Sequence, residues 1–402
     1  MDSSSFDLES LPVDLRMEIL SWLPLKPLVT FLIVSKEWES IILEERFRNL
    51  YLSRSMTRPR LMFMIERFRR NASQPPELDM SWFHSVYQDA GYQHVFPNSE
   101  VLFYSVYQEE KPLLSSGEQQ LLIPRDTMAY HFSPPIGGLI CLQLRNKFAI
   151  FNPGLKKLRK LPENQAHENA AVQSFFGYDE AANVFKVLCW TRLMISGRET
   201  NEYHVLTVES SEEPWRGITC QYDHSTFTHE LCKEGVLYYG ARLRLDGSLV
   251  VMSFNVRSEK FSTVIEFPDG SAYSLWNFVI YDGNIALVDD TDFEYVVNKP
   301  DGTRVLQIFV LDETARKWRE ECIKIHRWEQ NVGDMELYFK GSIGTGELVF
   351  APYRWLEGQK FVVYYNPATT NFRRFEIEGM VDEYLDVRTY LDHVESTWLI
   401  EE

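Results

Sequence analysis

At 402 residues, with 45% apolar and 25% charged side chains, the chain has the composition of a folded protein and room for one large domain beside a small one, or for two or three ordinary domains. Its formal charge of -17 argues against a general binder of nucleic acid or anionic membrane, since neither polyanion attracts an acidic surface, and leaves room only for a local basic patch. Met1 to Asp7 has no basic stretch and no apolar core, and no run of about 18 apolar residues follows, so neither an export signal nor a membrane span is expected.

Residues 11 to 50 read as helix. Ser10 is placed to cap a first helix that Pro12 opens, with Leu15, Ile19 and Leu23 at four-residue spacing on one face and Leu20 beside them. Pro24 stops that helix, and Pro27 starts a second carrying Leu28, Phe31 and Leu32. Ser35 caps a third with Trp38, Ile41 and Ile42. About 40 residues bury too little surface to fold alone, so this segment is either a helical cap on the main domain or a module whose apolar face another protein covers. Periodicity leaves both open.

Beyond residue 53 short β-rich runs alternate with turns, and the chain repeats itself. "FNPGLKKLRKL" from Phe151 and "YNPATTNFRRF" from Tyr365 share one pattern. A looser form pairs an apolar strand end with an apolar strand start seven residues on: Val106 and Leu113, Phe151 and Leu158, Val208 and Trp215, Phe254 and Phe261, Leu311 and Trp318, Tyr365 and Phe372. The intervals between copies are 45, 57, 46, 57 and 54, the period of propeller blades. In the fifth unit "WNFVIY", a tight turn at Asp282-Gly283-Asn284, "IALV", "RVLQIFVL" and "WREECIKI" supply four strands. The first unit lacks its opening strand, and one strand-like stretch, about Glu383 to Leu391, is left over at the end. A propeller of six blades closed by its C-terminal strand explains both.

The first 50 residues resemble the F-box, the module that docks ubiquitin-ligase substrate receptors on a Skp-family adaptor. The matching positions are Leu11-Pro12, Leu15, Glu18-Ile19-Leu20, Leu23-Pro24, Leu28, Val34, Lys36 and Trp38. Where such modules often carry two basic residues, this chain has Thr30-Phe31-Leu32-Ile33-Val34-Ser35, so a charge-assisted grip on an acidic adaptor is expected to be weaker. The remainder is similar to the plant F-box-associated domain of type 3, on "GLICL" from Gly138, "FNPGLKKLRKLP", "FGYDEAANVFKV" from Phe176, "FNVRSEKF" from Phe254 and "YNPATTNFRRF". The resemblance implies a three-helix, all-α F-box at 8–52 and an all-β propeller at 53–395. It implies the substrate-recognition subunit of a Skp–cullin–F-box ligase, with Leu11, Pro12, Leu15, Ile19, Leu20, Leu23, Pro24, Leu28, Val34 and Trp38 on the adaptor and a protein substrate on the propeller. It implies no cofactor. The alternative is a propeller scaffold or glycan-binding protein with a degenerate F-box.

Catalytic and metal chemistry find little support in the residue pattern. Asp289, Asp290 and Asp292 read as a solvated turn rather than a carboxylate pair for hydrolysis. His224, His229 and Cys232, with Asp223 and Glu230, have donor atoms but no zinc spacing, so no metal is expected. Gly344-Thr345-Gly346 reads as a hairpin turn, and "LKKLRK" at 155 to 160 as a solvated edge. No serine sits in an elbow motif, and the chain is read as non-enzymatic. The five scattered cysteines (Cys141, Cys189, Cys220, Cys232, Cys322) read as reduced and mostly buried, and the nucleus and/or cytoplasm as the location.

In a four-stranded blade the loops joining strands two and three lie opposite the strand three-to-four turns. Those loops, at 67–100, 191–201, 242–248, 289–303 and 353–359, vary in length and carry Tyr, Trp and Arg, the residues that dominate interfaces. Arg242, Arg244, Tyr295, Tyr353, Arg354 and Trp355 are therefore the expected substrate contacts; any one of these aromatics could equally pack its loop onto a blade.

Overall fold

The N-terminal apolar segment folds as four helices rather than three. They are α1 (Val13–Ser21), α2 (Leu25–Phe31), α3 (Lys36–Leu43) and α4 (Glu45–Met56) in a computed structural model, which describes residues 11–68, 99–107, 123–125, 130–166, 170–195, 198–208, 215–268, 277–288, 302–333, 335–355, 360–377 and 385–399. The Ser35 hydroxyl accepts from the Trp38 amide at 3.3 Å, as the sequence predicts for a cap. Ser10 lies outside the described residues, and Pro12 itself flanks α1. α2 begins at Leu25, two residues earlier than expected; Pro27 is tolerated because it stays in the first turn, where amides have no intrahelical acceptor. The extra helix arises at Glu44, whose extended backbone (φ -63°, ψ 137°) breaks the run. α4 then turns Phe47 and Tyr51 into one core with Met17, Leu20, Leu25, Leu28, Trp38, Ile41 and Ile42.

Six antiparallel sheets follow. Blade 1, from the channel outward, is Leu385–His393, Arg60–Phe68, Ser99–Tyr107 and Ile123–Arg125, with the two-residue strand Arg354–Trp355 added at the edge of Leu385–His393. Its long inner strand thus comes from the C-terminal segment, paired antiparallel from Arg60↔His393 to Glu66↔Asp386. Blade 2 is Tyr130–Phe132, Ile140–Leu144, Lys147–Asn152 and Lys157–Lys160; blade 3 is Ala171–Asp179, Val184–Ile195, Arg198–Thr207 and Arg216–Ile218. Blade 4 has a split inner strand, His224–Thr226 and Leu231–Lys233, then Val236–Leu243, Leu249–Asn255 and Lys260–Glu266. Blade 5 is Asn277–Tyr281, Asn284–Val288, Arg304–Asp312 and Lys317–Ile325, the four strands expected for that unit. Blade 6 is Tyr338–Ser342, Leu348–Ala351, Phe361–Asn366 and Asn371–Glu376. A short helix, α5 (Trp328–Val332), links blades 5 and 6.

Ring closure is visible in the packing. Each neighbouring pair of blades shares its own apolar cluster, including the pair formed by blades 6 and 1, where Val349, Val362 and Tyr364 meet Leu61, Phe63 and Val387. Every sheet therefore buries both faces, which an open stack would not allow its end sheets.

The seven-residue spacing has a local cause. Phe151↔Leu158, Phe254↔Phe261, Leu311↔Trp318 and Tyr365↔Phe372 stand directly opposite one another in their hairpins. In each turn an Asn or Asp side chain (Asn152, Asn255, Asp312, Asn366) accepts from a backbone amide two or three residues on. The residue before the last strand then goes left-handed: Lys156 (φ 55°), Glu259 (φ 56°), Arg316 (φ 54°) and Thr370 (φ 57°). Asp282 and Gly283, at φ 47° and 70°, close the two-residue hairpin expected in blade 5.

Candidate functional site

Two surfaces and one channel concentrate the chemistry. The first surface belongs to the helices. Leu15 and Ile19 are 52% and 43% exposed, Val34 is 63% and Ile33 88%, whereas Leu20, Leu28 and Trp38 lie at 2%, 0% and 4%. Pro12 and Pro24 are exposed, and Leu11 and Leu23 half-buried. The ten adaptor candidates thus divide. Leu20, Leu28 and Trp38 hold the helices together from inside, and the others reach the surface. Trp22, absent from the sequence expectation, is 48% exposed, with the Arg54 and Arg58 guanidinium carbons 4.6 and 5.2 Å from its ring centre. Glu18 pairs with Arg54 behind it.

The helices sit on the face of the ring that carries the short turns. Leu25 fills the space over Gly154, where an added Cβ would lie 2.5 Å from its Cδ2, and Leu155 of the same blade 2 turn joins the helical core. Asn49 meets Asn183 in a blade 3 turn. The C-terminal segment ties the two parts together through Glu395. Its carboxylate accepts from the Leu25 amide (3.0 Å) and the Tyr51 hydroxyl (3.2 Å) and pairs with Arg60 at 3.0 Å. Asn152 donates to the carbonyls of Ser396 and Trp398.

The opposite face carries the strand two-to-three connections, and the substrate candidates fall there in two groups. Arg244 pairs with Asp223 at 3.1 Å, and Arg242 bends back toward the Gly247 carbonyl at 3.4 Å, both on blade 4. On blade 6, the Tyr353 ring lies 4.3 Å from that of Tyr338, with Lys340 Nζ 3.7 Å above it and Asn277 donating to its hydroxyl at 3.1 Å. Arg354 pairs with Asp386 at 2.9 Å. Blade 5 separates the two groups. Tyr295 lies outside the described residues. Two expected loops are partly strand: Arg354–Trp355 pairs with the edge of Leu385–His393, and 191–195 and 198–201 lie at the paired ends of two long strands, Thr191↔Glu202 among them.

The channel brings together side chains that the sequence separates. His131 on blade 2 stacks on His229 of blade 4, ring centres 5.7 Å apart and planes 24° from parallel. Glu230 is 3% exposed; its Oε1 accepts from the Phe176 amide at 3.3 Å, and its Oε2 is buried without a hydrogen-bond partner. Burial raises the Glu230 carboxyl to about 8 and lowers His131 to about 4, where His229 and Arg388 add to the effect. His224 does not join them. It is buried between Tyr203 and Tyr239, with Nε2 3.0 Å from the Tyr239 hydroxyl, a structural histidine as the sequence reading favoured. Cys141, Cys189, Cys220 and Cys232 all have thiols pushed up by burial, away from the range of a nucleophile. Asp289, Asp290 and Asp292 lie outside the described residues. No described helix is long and apolar enough to cross a membrane.

Helices on one face of a six-bladed ring, with the C-terminus closing blade 1, narrow the comparison with known proteins. The F-box domain profile matches residues 8–50, and that of the F-box associated beta propeller domain, type 3, matches 92–394. The chain is a plant F-box protein. The Arabidopsis thaliana F-box protein At1g70970 is 54% identical to this F-box protein over 398 residues, covering 96% of this chain and 97% of that one. A second from the same plant, At1g70960, is 44% identical over 404 residues and covers all of both chains. Among solved structures, Porphyromonas gingivalis dipeptidyl peptidase 4 is similar over 70% of this F-box protein and 42% of its own chain, with a TM-score of 0.35 and 11% identity.

Proposed function

We propose that this F-box protein is the substrate-recognition subunit of a Skp–cullin–F-box ubiquitin ligase, working in the nucleus and/or cytoplasm and performing no chemistry itself. The observation that carries this reading is the exposed apolar face of the helices. Leu15, Ile19, Ile33 and Val34 project from a module whose core Leu20, Leu28 and Trp38 already complete, so the exposed residues are not needed for its folding. Such a surface is stable in water only at a cost that a partner removes. A Skp-family adaptor would cover it and bring the cullin; contact is apolar, in keeping with the absence of basic residues from Thr30 to Ser35. The propeller would present a protein substrate on the face away from the helices, with Tyr353, Arg354 and Trp355 where the blade 6 connection joins the edge of blade 1, and Arg242 and Arg244 on blade 4, as contacts. Holding the substrate there raises the local concentration of its lysines near the conjugating enzyme. Nucleic acid and membrane have no part in it.

Co-expression with a Skp-family adaptor tests the docking. Ile19→Asp with Val34→Asp should abolish co-purification while thermal unfolding of the propeller stays within about 1 kcal/mol, because both side chains are solvent-exposed. Retained co-purification would misplace the interface. For substrate, affinity purification under proteasome inhibition should recover a protein whose capture Arg354→Ala with Trp355→Ala reduces by at least ~2 kcal/mol.

A further inference from the structure

We propose that His131, His229 and Glu230 form a divalent transition-metal site, with zinc as its ion, in the central channel of the propeller. One donor atom from each of the three lies within 4.8 Å of the other two, and among the described residues they are the one such group. Two imidazoles and a carboxylate are a three-ligand set for zinc that leaves a fourth position for water or another ligand. Bond lengths of about 2.0–2.2 Å require donors ~3.4 Å apart in a tetrahedron, so small side-chain rotations close the site.

A second observation points independently to a ligand. Glu230 Oε2 is buried with no hydrogen-bond partner, an arrangement that costs free energy and that a cation in this place removes. Its Oε1 is held by the Phe176 amide of blade 3, which fixes the carboxylate's direction. His229 is exposed and His131 half-buried, so an ion has a way in. Bound there, the metal would join blade 2 to blade 4 across the channel and give the ring a cross-link beyond its strand pairing. Arg388, from the inner strand of blade 1, is the opposing charge near both imidazoles, with Tyr390 hydrogen-bonded to it. It sets an upper limit on affinity.

The test uses the full chain, stripped with EDTA and titrated with zinc against a chromophoric chelator, and with cobalt by visible absorption. One equivalent should bind and raise the melting temperature, and cobalt should give the bands of a low-coordinate site without thiolate charge transfer in the near ultraviolet. Glu230→Gln, which keeps shape, and His131→Ala should each weaken zinc at least tenfold; Arg388→Gln should tighten it. Failure of the wild-type chain to bind, zinc affinity unchanged in Glu230→Gln, or a thiolate signature pointing to the cysteines would each overturn the assignment.

Discussion

Replacing Glu395 by Ala tests what holds the helices to the ring. The Arg60 guanidinium lies 3.0 Å from this carboxylate, and both side chains are at most 10% exposed. Removing one partner of a buried ion pair costs about 3–5 kcal/mol, because the remaining charge loses its counter-charge. Arg60 keeps the Ser105 hydroxyl, a neutral acceptor, at 3.4 Å. The Leu25 amide and the Tyr51 hydroxyl lose an acceptor as well, although Tyr51 keeps the Leu23 carbonyl at 3.1 Å. The expected loss is therefore about 3–5 kcal/mol, read as a lower urea midpoint at unchanged slope by tryptophan fluorescence. Arg60→Met with Glu395→Met should recover most of it, since an apolar pair replaces an ion pair at little cost. Limited proteolysis should also open the link at 57–59 in Glu395→Ala alone. A single variant losing under ~1 kcal/mol, or a double variant as unstable as the single, would refute the reasoning.

Truncation after Gly379 removes the inner strand of blade 1 and exposes the edge at Arg60–Phe68, so the product should aggregate or melt far below the full chain; equal solubility and melting temperature would count against a closed ring. Gly341→Ala should destabilise by about 2–4 kcal/mol in urea, because φ is 125° there and a Cβ would lie 2.6 Å from the Ile280 carbonyl of the next blade. His393 is held down to about 3 by burial and then by Arg60, against an ordinary value of 6.5. The unfolded chain therefore binds a proton the folded one refuses: its contribution is intact above pH 6.5 and lost as pH falls toward 3. His393→Gln should flatten the acid limb of the stability curve by up to ~1.4 kcal/mol per pH unit, and an unchanged limb would show that this histidine is not responsible.

What could be read from the sequence was what neighbours in the chain determine. The turn built on Asn152, Asn255, Asp312 and Asn366 is a local device, so its spacing shows in one dimension and marks blades 2, 4, 5 and 6. The missing first strand and the surplus last one were legible for the same reason. Within the helices the pattern identified apolar residues but not their direction. Leu15 and Leu20 are alike in sequence, and only the packing of α4, through Phe47 and Tyr51, decides that Leu20 is inside. Of the channel cluster the sequence showed His229 and Glu230 as donors but grouped them with His224 and Cys232; His131, 98 residues from His229, meets them only when blades 2 and 4 face one another. Glu395 was silent too, because nothing near it in the chain reveals a role for a carboxylate among buried residues.

The route of the C-terminal segment has a consequence for how the protein is made. The helices leave the ribosome before the ring, yet the acceptor for the Leu25 amide and the partner of Arg60 are both Glu395, which lies 370 residues beyond Leu25. Until residues 385–395 emerge, blade 1 has no inner strand and the helices have no anchor on the ring. A nascent or prematurely ended chain would thus display the apolar helical face while its propeller is still open. Co-translational holding by chaperones, or early cover of that face by a partner, would then decide whether synthesis ends in a folded protein or in an aggregate.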